Sequence, residues 1–170
     1  MRVSSFVGVS LDGFLAREDG RLDYLERFGG EDHGYDDFLR SVGAVVLGRV
    51  TYDAICAFDT WPFPGKRVVV LTHRSIAARH GETTHQGSLA PLLGQLASEA
   101  IERVYLDGGV AIRQALDEDV LDDLTLSTVP VLIGSGRRLF GGAPRTTPWT
   151  LTALRSFPSG LVQAHYERRR

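Results

Sequence analysis

Cysteine is nearly missing from this chain: 170 residues carry one, Cys56. One thiol cannot close an internal disulfide, so no oxidising compartment is implied. An excess of either charge is missing too, with 19 Lys and Arg against 21 Asp and Glu. Dedicated nucleic-acid binders are basic, so that class is disfavoured. The one basic block, Arg168-Arg169-Arg170, reads as a solvated chain end. No apolar run approaches the length of a membrane span. The opening MRVSSFVGVSLDGFLA is interrupted by serines and Asp12 and has no small-residue cleavage site. A soluble, cytoplasmic protein without membrane or nucleic-acid partners is expected. The histidines are scattered, and His80 and His85 are poorly spaced for a helical metal pair, so no metal site is expected. No G-x-S-x-G segment points to a serine hydrolase, and no G-x-G-x-x-G fingerprint points to a Rossmann site. Repeats and low-complexity tracts are absent.

What is present is a globular composition: 43% hydrophobic and 24% charged residues, enough to build one core. The length fits one domain, residues 1–170. Strands are predicted over residues 3–9, 44–47, 67–71, 103–106, 124–133, 149–156 and 161–168. The runs AVVL, RVVVL and RVYL are almost continuously apolar, as in a parallel sheet covered on both faces. The last two strands alternate and are joined by Phe157-Pro158-Ser159-Gly160, which marks an antiparallel hairpin. Helices are predicted over residues 32–42, 51–57, 88–100 and 110–116. Strands alternating with helices indicate an α/β fold with an antiparallel edge.

Four strand ends carry candidate chemistry. In RVYLDGGVAIRQAL an apolar strand runs into Gly108-Gly109 and then a helix. Glycines permit close approach, and a helix N-terminus offers free N–H groups and a positive dipole end, which suits a diphosphate. A tight turn without ligand is the alternative. In VVLGRVTYDAI the strand ends at Gly48, and Arg49 and Thr51 can contact phosphate oxygens, or act as a solvated arginine and a helix cap. In RVVVLTHR the strand ends in Thr72-His73-Arg74, which in a dinucleotide site would receive the 2′-phosphate that separates NADP from NAD. In VSLDGF, Asp12 before Gly13 is either a turn former or a substrate-contacting acid.

Taken in order, SLDGFLA, LGRVTY, VLTHR, LDGGVAIRQAL and the run of residues 122–142, which ends in G-x-G-x-x-L-F and Gly142, resemble the dihydrofolate-reductase-like family. They are most similar to its branch containing the C-terminal reductase domain of riboflavin-biosynthesis (RibD) proteins. The resemblance implies a three-layer α/β/α fold with a mostly parallel sheet and a C-terminal antiparallel hairpin. It implies NADPH as cofactor, with the pyrophosphate at Gly48, Arg49, Thr51, Gly108, Gly109, Val110 and Ala111 and the adenosine phosphate at Thr72, His73 and Arg74. Ser10 and Gly13 would flank the substrate, with Asp12 as the acid and Asp23 and Tyr52 as further pocket residues. The activity implied is hydride transfer to a small heterocyclic or ribosylated acceptor, of the 5-amino-6-(5-phosphoribosylamino)uracil reductase type. Pterin reduction of the dihydrofolate kind, and a nucleotide-binding module without turnover, are the alternatives. The chain has no deaminase domain with zinc-ligand motifs. A homodimer is expected from the same resemblance.

Overall fold

A computed structural model describes residues 1–141 and 146–169. Gly142, the end of the last matched motif, and Arg170 lie outside the described residues. The strands are β1 (Arg2–Ser10), β2 (Phe14–Ala16), β3 (Ala44–Gly48), β4 (Arg67–Leu71), β5 (Thr83–His85), β6 (Arg103–Asp107), β7 (Asp123–Val129), β8 (Arg137–Arg138), β9 (Trp149–Ser156) and β10 (Val162–Arg168). The helices are α1 (Tyr35–Arg40), α2 (Arg49–Ile55), α3 (Leu89–Ser98) and α4 (Gly109–Asp117), with a 3₁₀ turn over Asp23–Phe28.

Eight strands form one sheet in the order β5-β4-β3-β6-β1-β7-β10-β9, and β2 pairs with β8 apart from it. Strands β5 through β7 in that order are mutually parallel, while β10 runs antiparallel to both β7 and β9. The near-continuous apolar runs have the cause anticipated for them. Val46, Val69 and Leu106 pack on one face with Leu92, Leu96 and Ile112 of α3 and α4. Val45, Leu47, Val70 and Tyr105 pack on the other with Ile55 of α2 and Phe38 of α1. Isolated helices of this length are marginal. Burial of each leucine of α3 stabilises by about 1.5–3 kcal/mol, and that packing decides the helix.

The boundaries differ from expectation in physically simple ways. The strand expected over residues 124–133 stops at Val129, because Pro130 has no N–H for the ladder. Helix α1 begins at Tyr35, not residue 32, because the Asp32 carboxylate accepts the Gly34 N–H in a turn and Gly34 takes a left-handed φ of 79°. The short strands β2, β5 and β8 and the 3₁₀ turn carry too little periodicity to be read from sequence. In β5, for example, pairing exists because β4 offers it an open edge.

Candidate active site

Loops leaving β3 and β6 depart to opposite faces, since α2 packs on one side of the sheet and α4 on the other. Such a divergence opens a crevice beyond the carboxyl ends of the two strands. A cavity of about 590 Å³ lies there, lined by Gly48, Thr51, Asp107, Gly108, Gly109 and Val110 among others. The two turns touch. Gly108 has φ +92°, and a Cβ on it would fall 2.1 Å from Thr51 Oγ1. Glycine is required here both by conformation and by space. The first intrahelical bond of α4 runs from Ile112 N to Gly108 O, so the N–H groups of Gly109, Val110 and Ala111 precede the helix ladder. Ala111, expected at the pyrophosphate, is fully buried in the core and is not among the residues lining the cavity.

The remaining expected cofactor residues, Arg49, Thr72, His73 and Arg74, are not among the residues lining the cavity. Gly48 is paired with Leu71, which sets the segment Thr72-His73-Arg74 beside the start of α2. Thr72 is buried and its hydroxyl accepts the Arg74 N–H, while His73 and Arg74 are exposed. Arg49 is already engaged: its Nε donates to both Asp53 oxygens at 2.8 and 2.9 Å, and its Nη1 donates to Ser75 O. It ties α2 to that loop, and its fork is free for phosphate only if Asp53 releases it.

The expected substrate side is mostly displaced from the cavity. Ser10 Oγ donates to Asp12 Oδ1 at 2.6 Å and accepts the Phe14 N–H. The Asp12 carboxylate also accepts the N–H groups of Ile133 and Gly134. These bonds, led by the Ser10 hydroxyl, hold the Asp12 carboxyl below the usual range. Ser10, Asp12 and Gly13 thus close a loop onto the segment after β7, and none of them is among the residues lining the cavity. Asp23 pairs with Arg17 at the surface. Tyr52 is corrected from pocket to core: its ring is buried under α2 and its hydroxyl donates to Glu82 at 3.3 Å. Val50, Thr51, Ala54 and Ile55 are the residues of α2 that line the cavity instead.

In their stead stands Asp107, the last residue of β6. It is the only carboxylate lining the cavity among the described residues. Burial pushes it up to about 6, against the Gly108 N–H and the Tyr105 hydroxyl, which pull it down. Tyr105 donates to Phe6 O at 2.9 Å, and burial raises its hydroxyl far above the usual range. Tyr35 is likewise pushed up to about 12 by burial. The rings of Phe6, Tyr35 and Tyr105 form an aromatic wall, with Tyr35 edge-on to both of the others. Arg113, Arg137 and Arg138 supply cations to the lining. Sequence reading passed over Asp107 because it ended an apolar strand next to a more conspicuous glycine pair. The signal available was its place one residue before a helix N-terminus.

Residues 2–163 match the model of the RibD C-terminal domain, and the chain belongs to that family. A Bacillus subtilis protein, YwjB, itself uncharacterized, is 33% identical over 96% of this chain and 95% of its own. A crystal structure from Shewanella sp. PV-4, whose name refers to riboflavin biosynthesis, is 30% identical and covers all of both chains with a TM-score of 0.92. RibD of Acinetobacter baumannii shares the fold at 18% identity and a TM-score of 0.73, over 99% of this chain and 58% of its own.

Proposed function

We propose that the protein is an NADPH-dependent reductase that transfers a hydride to a small heterocyclic or ribosylated acceptor of the 5-amino-6-(5-phosphoribosylamino)uracil reductase type. The observation that carries the reading is the crevice between β3 and β6. A dinucleotide fits the residues present there: a helix N-terminus with unladdered N–H groups, glycines where a Cβ would intrude, and Arg113 beside them. Family membership supports the same activity. When bound, the nicotinamide supplies the hydride. The N–H groups of Gly109 and Val110 would hold the diphosphate, and His73 and Arg74 would meet the 2′-phosphate. The apolar wall of Phe6, Tyr35 and Tyr105 excludes water and orients the acceptor. Asp107, protonated below about pH 6, delivers a proton to the oxygen or nitrogen that gains charge and is recharged from solvent.

The cofactor part is tested by titrating NADPH and NADH into wild type and Arg74→Ala. Wild type should favour NADPH, and loss of one charge-assisted phosphate contact should weaken NADPH alone by about ten- to a hundred-fold. Equal affinities for the two cofactors in wild type would remove the 72–74 segment from the site. The reading includes a cytoplasmic homodimer, with the exposed β9 edge and Leu151, Leu154 and Val162 as its surface. Sedimentation at micromolar concentration should give twice the 18.6 kDa chain mass, and Leu154→Glu should halve it.

A further inference from the structure

The cavity continues past Asp107 to a second polar place on β7. Gln163, buried on β10, donates from Nε2 to His33 O at 3.0 Å and to Ser127 Oγ at 3.0 Å. A backbone carbonyl only accepts, so the amide nitrogen must face His33, and its second hydrogen points at Ser127. The Ser127 oxygen is therefore an acceptor in this pair. Its own hydrogen has no other partner among the described residues, and Ser127 lines the cavity. Gln163 occupies one of the two Ser127 lone pairs and leaves the hydroxyl hydrogen to find its partner on the cavity side.

The surroundings define what that donor meets. Ser127 is paired with Gly8 of β1, and β1 separates β7 from β6, which ends in Asp107. Ser127 is level with Gly8 while Asp107 falls level with Phe6, so two strand spacings across and two residues along put Ser127 and Asp107 about 12 Å apart. Gly8 forms the floor next to Ser127, with Phe6 next to Asp107, and a Cβ on Gly8 would press to 3.2 Å from Leu25. The His33 ring lines the wall beside Ser127; its Nε2 is enclosed without a hydrogen bond, 3.6 Å from Glu31. No carboxylate other than Asp107 lines the cavity among the described residues, so a cationic acceptor finds little to pair with.

We propose that Ser127, aimed by Gln163, reads a carbonyl oxygen on a planar acceptor ring that lies over Gly8, with Asp107 at the ring's opposite side. Ser127 is a substrate-contacting residue and Gln163 a positioning residue. The inference rests on the reductase reading, whose uracil-type acceptor carries ring carbonyls, and adds the residue that reads one of them: an oxo-substituted ring is favoured over an amino-substituted one because an aromatic amino group does not accept the Ser127 hydrogen.

The test titrates 5,6-diaminouracil and 2,4,5,6-tetraaminopyrimidine into the NADPH-saturated protein. Wild type should bind the dioxo ring at least ten-fold more tightly. Ser127→Ala should lose that preference, and Ser127→Thr, which keeps the hydroxyl, should retain most of it. NADPH affinity, measured separately, should be the same in all three. A wild type that binds neither ring, or both equally, overturns the inference, as does full preference in Ser127→Ala. Failure of NADPH to bind in the first place would strike the reductase reading instead, so the two failures are distinguishable.

Discussion

Asp12-Gly13 and Asp107-Gly108 are the same dipeptide at the same kind of place, the exit of a parallel strand, and in both the glycine has positive φ, 83° and 92°. Their environments are opposite. The Asp12 carboxylate accepts three hydrogen bonds and is held ionised, whereas Asp107, half-buried beside aromatic rings, is pushed up to about 6 by desolvation. A Cβ on Gly13 would meet nothing within 4 Å, while one on Gly108 would collide with Thr51. A carboxylate that folding satisfies closes a loop; one that folding leaves enclosed and poorly satisfied is available for chemistry.

The largest expected effect separates the two acids by rate. Asp107→Asn should lower single-turnover hydride transfer by about 10²–10⁴-fold with NADPH affinity little changed, the usual span for a positioned acid. Asp12→Asn should be close to wild type in the same assay. Rates that fall for Asp12→Asn and not for Asp107→Asn would reverse the assignment. In wild type the chemical step should slow as pH rises through about 6, and that dependence should vanish in Asp107→Asn.

Next comes the glycine pair. Alanine at either position bears the cost of positive φ, about 1–3 kcal/mol. Gly108→Ala adds a clash with a short β-branched side chain that cannot swing aside, so its thermal midpoint should fall well below that of Gly13→Ala. Similar midpoints would show that the two turns do not press on each other.

The smallest effects are on stability against pH. Asp107 has its folded pKa raised, so its contribution is best below its unfolded value near 3.8 and is lost as pH rises through about 6. Asp107→Asn should therefore gain stability over wild type at pH 7.5, by up to about 3 kcal/mol for a shift of about two units. Asp12 has the opposite sign. Its lowered pKa stabilises the fold above the unfolded value and is lost in acid, so Asp12→Asn should be less stable at neutral pH and converge with wild type in acid. Denaturant titrations at both pH values check both signs.

The layering of the fold was legible in the runs AVVL, RVVVL and RVYL, because strands buried on both faces need apolar residues throughout. The Gly108 turn was legible because a glycine between a strand and a helix serves few other purposes. Tyr52 and Asp12 were assigned to the pocket from their place in the sequence and the family resemblance, and neither records which way α2 presents its faces or what packs on a loop. Ser127, Gln163 and His33 come from three distant segments and have no local mark at all.

Sequence alone determined the seven longer strands, the glycine turns and the α/β class, since each depends on side chains within a few residues of one another. Only tertiary structure decided which of two identical Asp-Gly ends carries a perturbed acid. The pKa of a carboxylate depends on solvent exclusion and on donors delivered from other strands, and those are properties of the packed sheet.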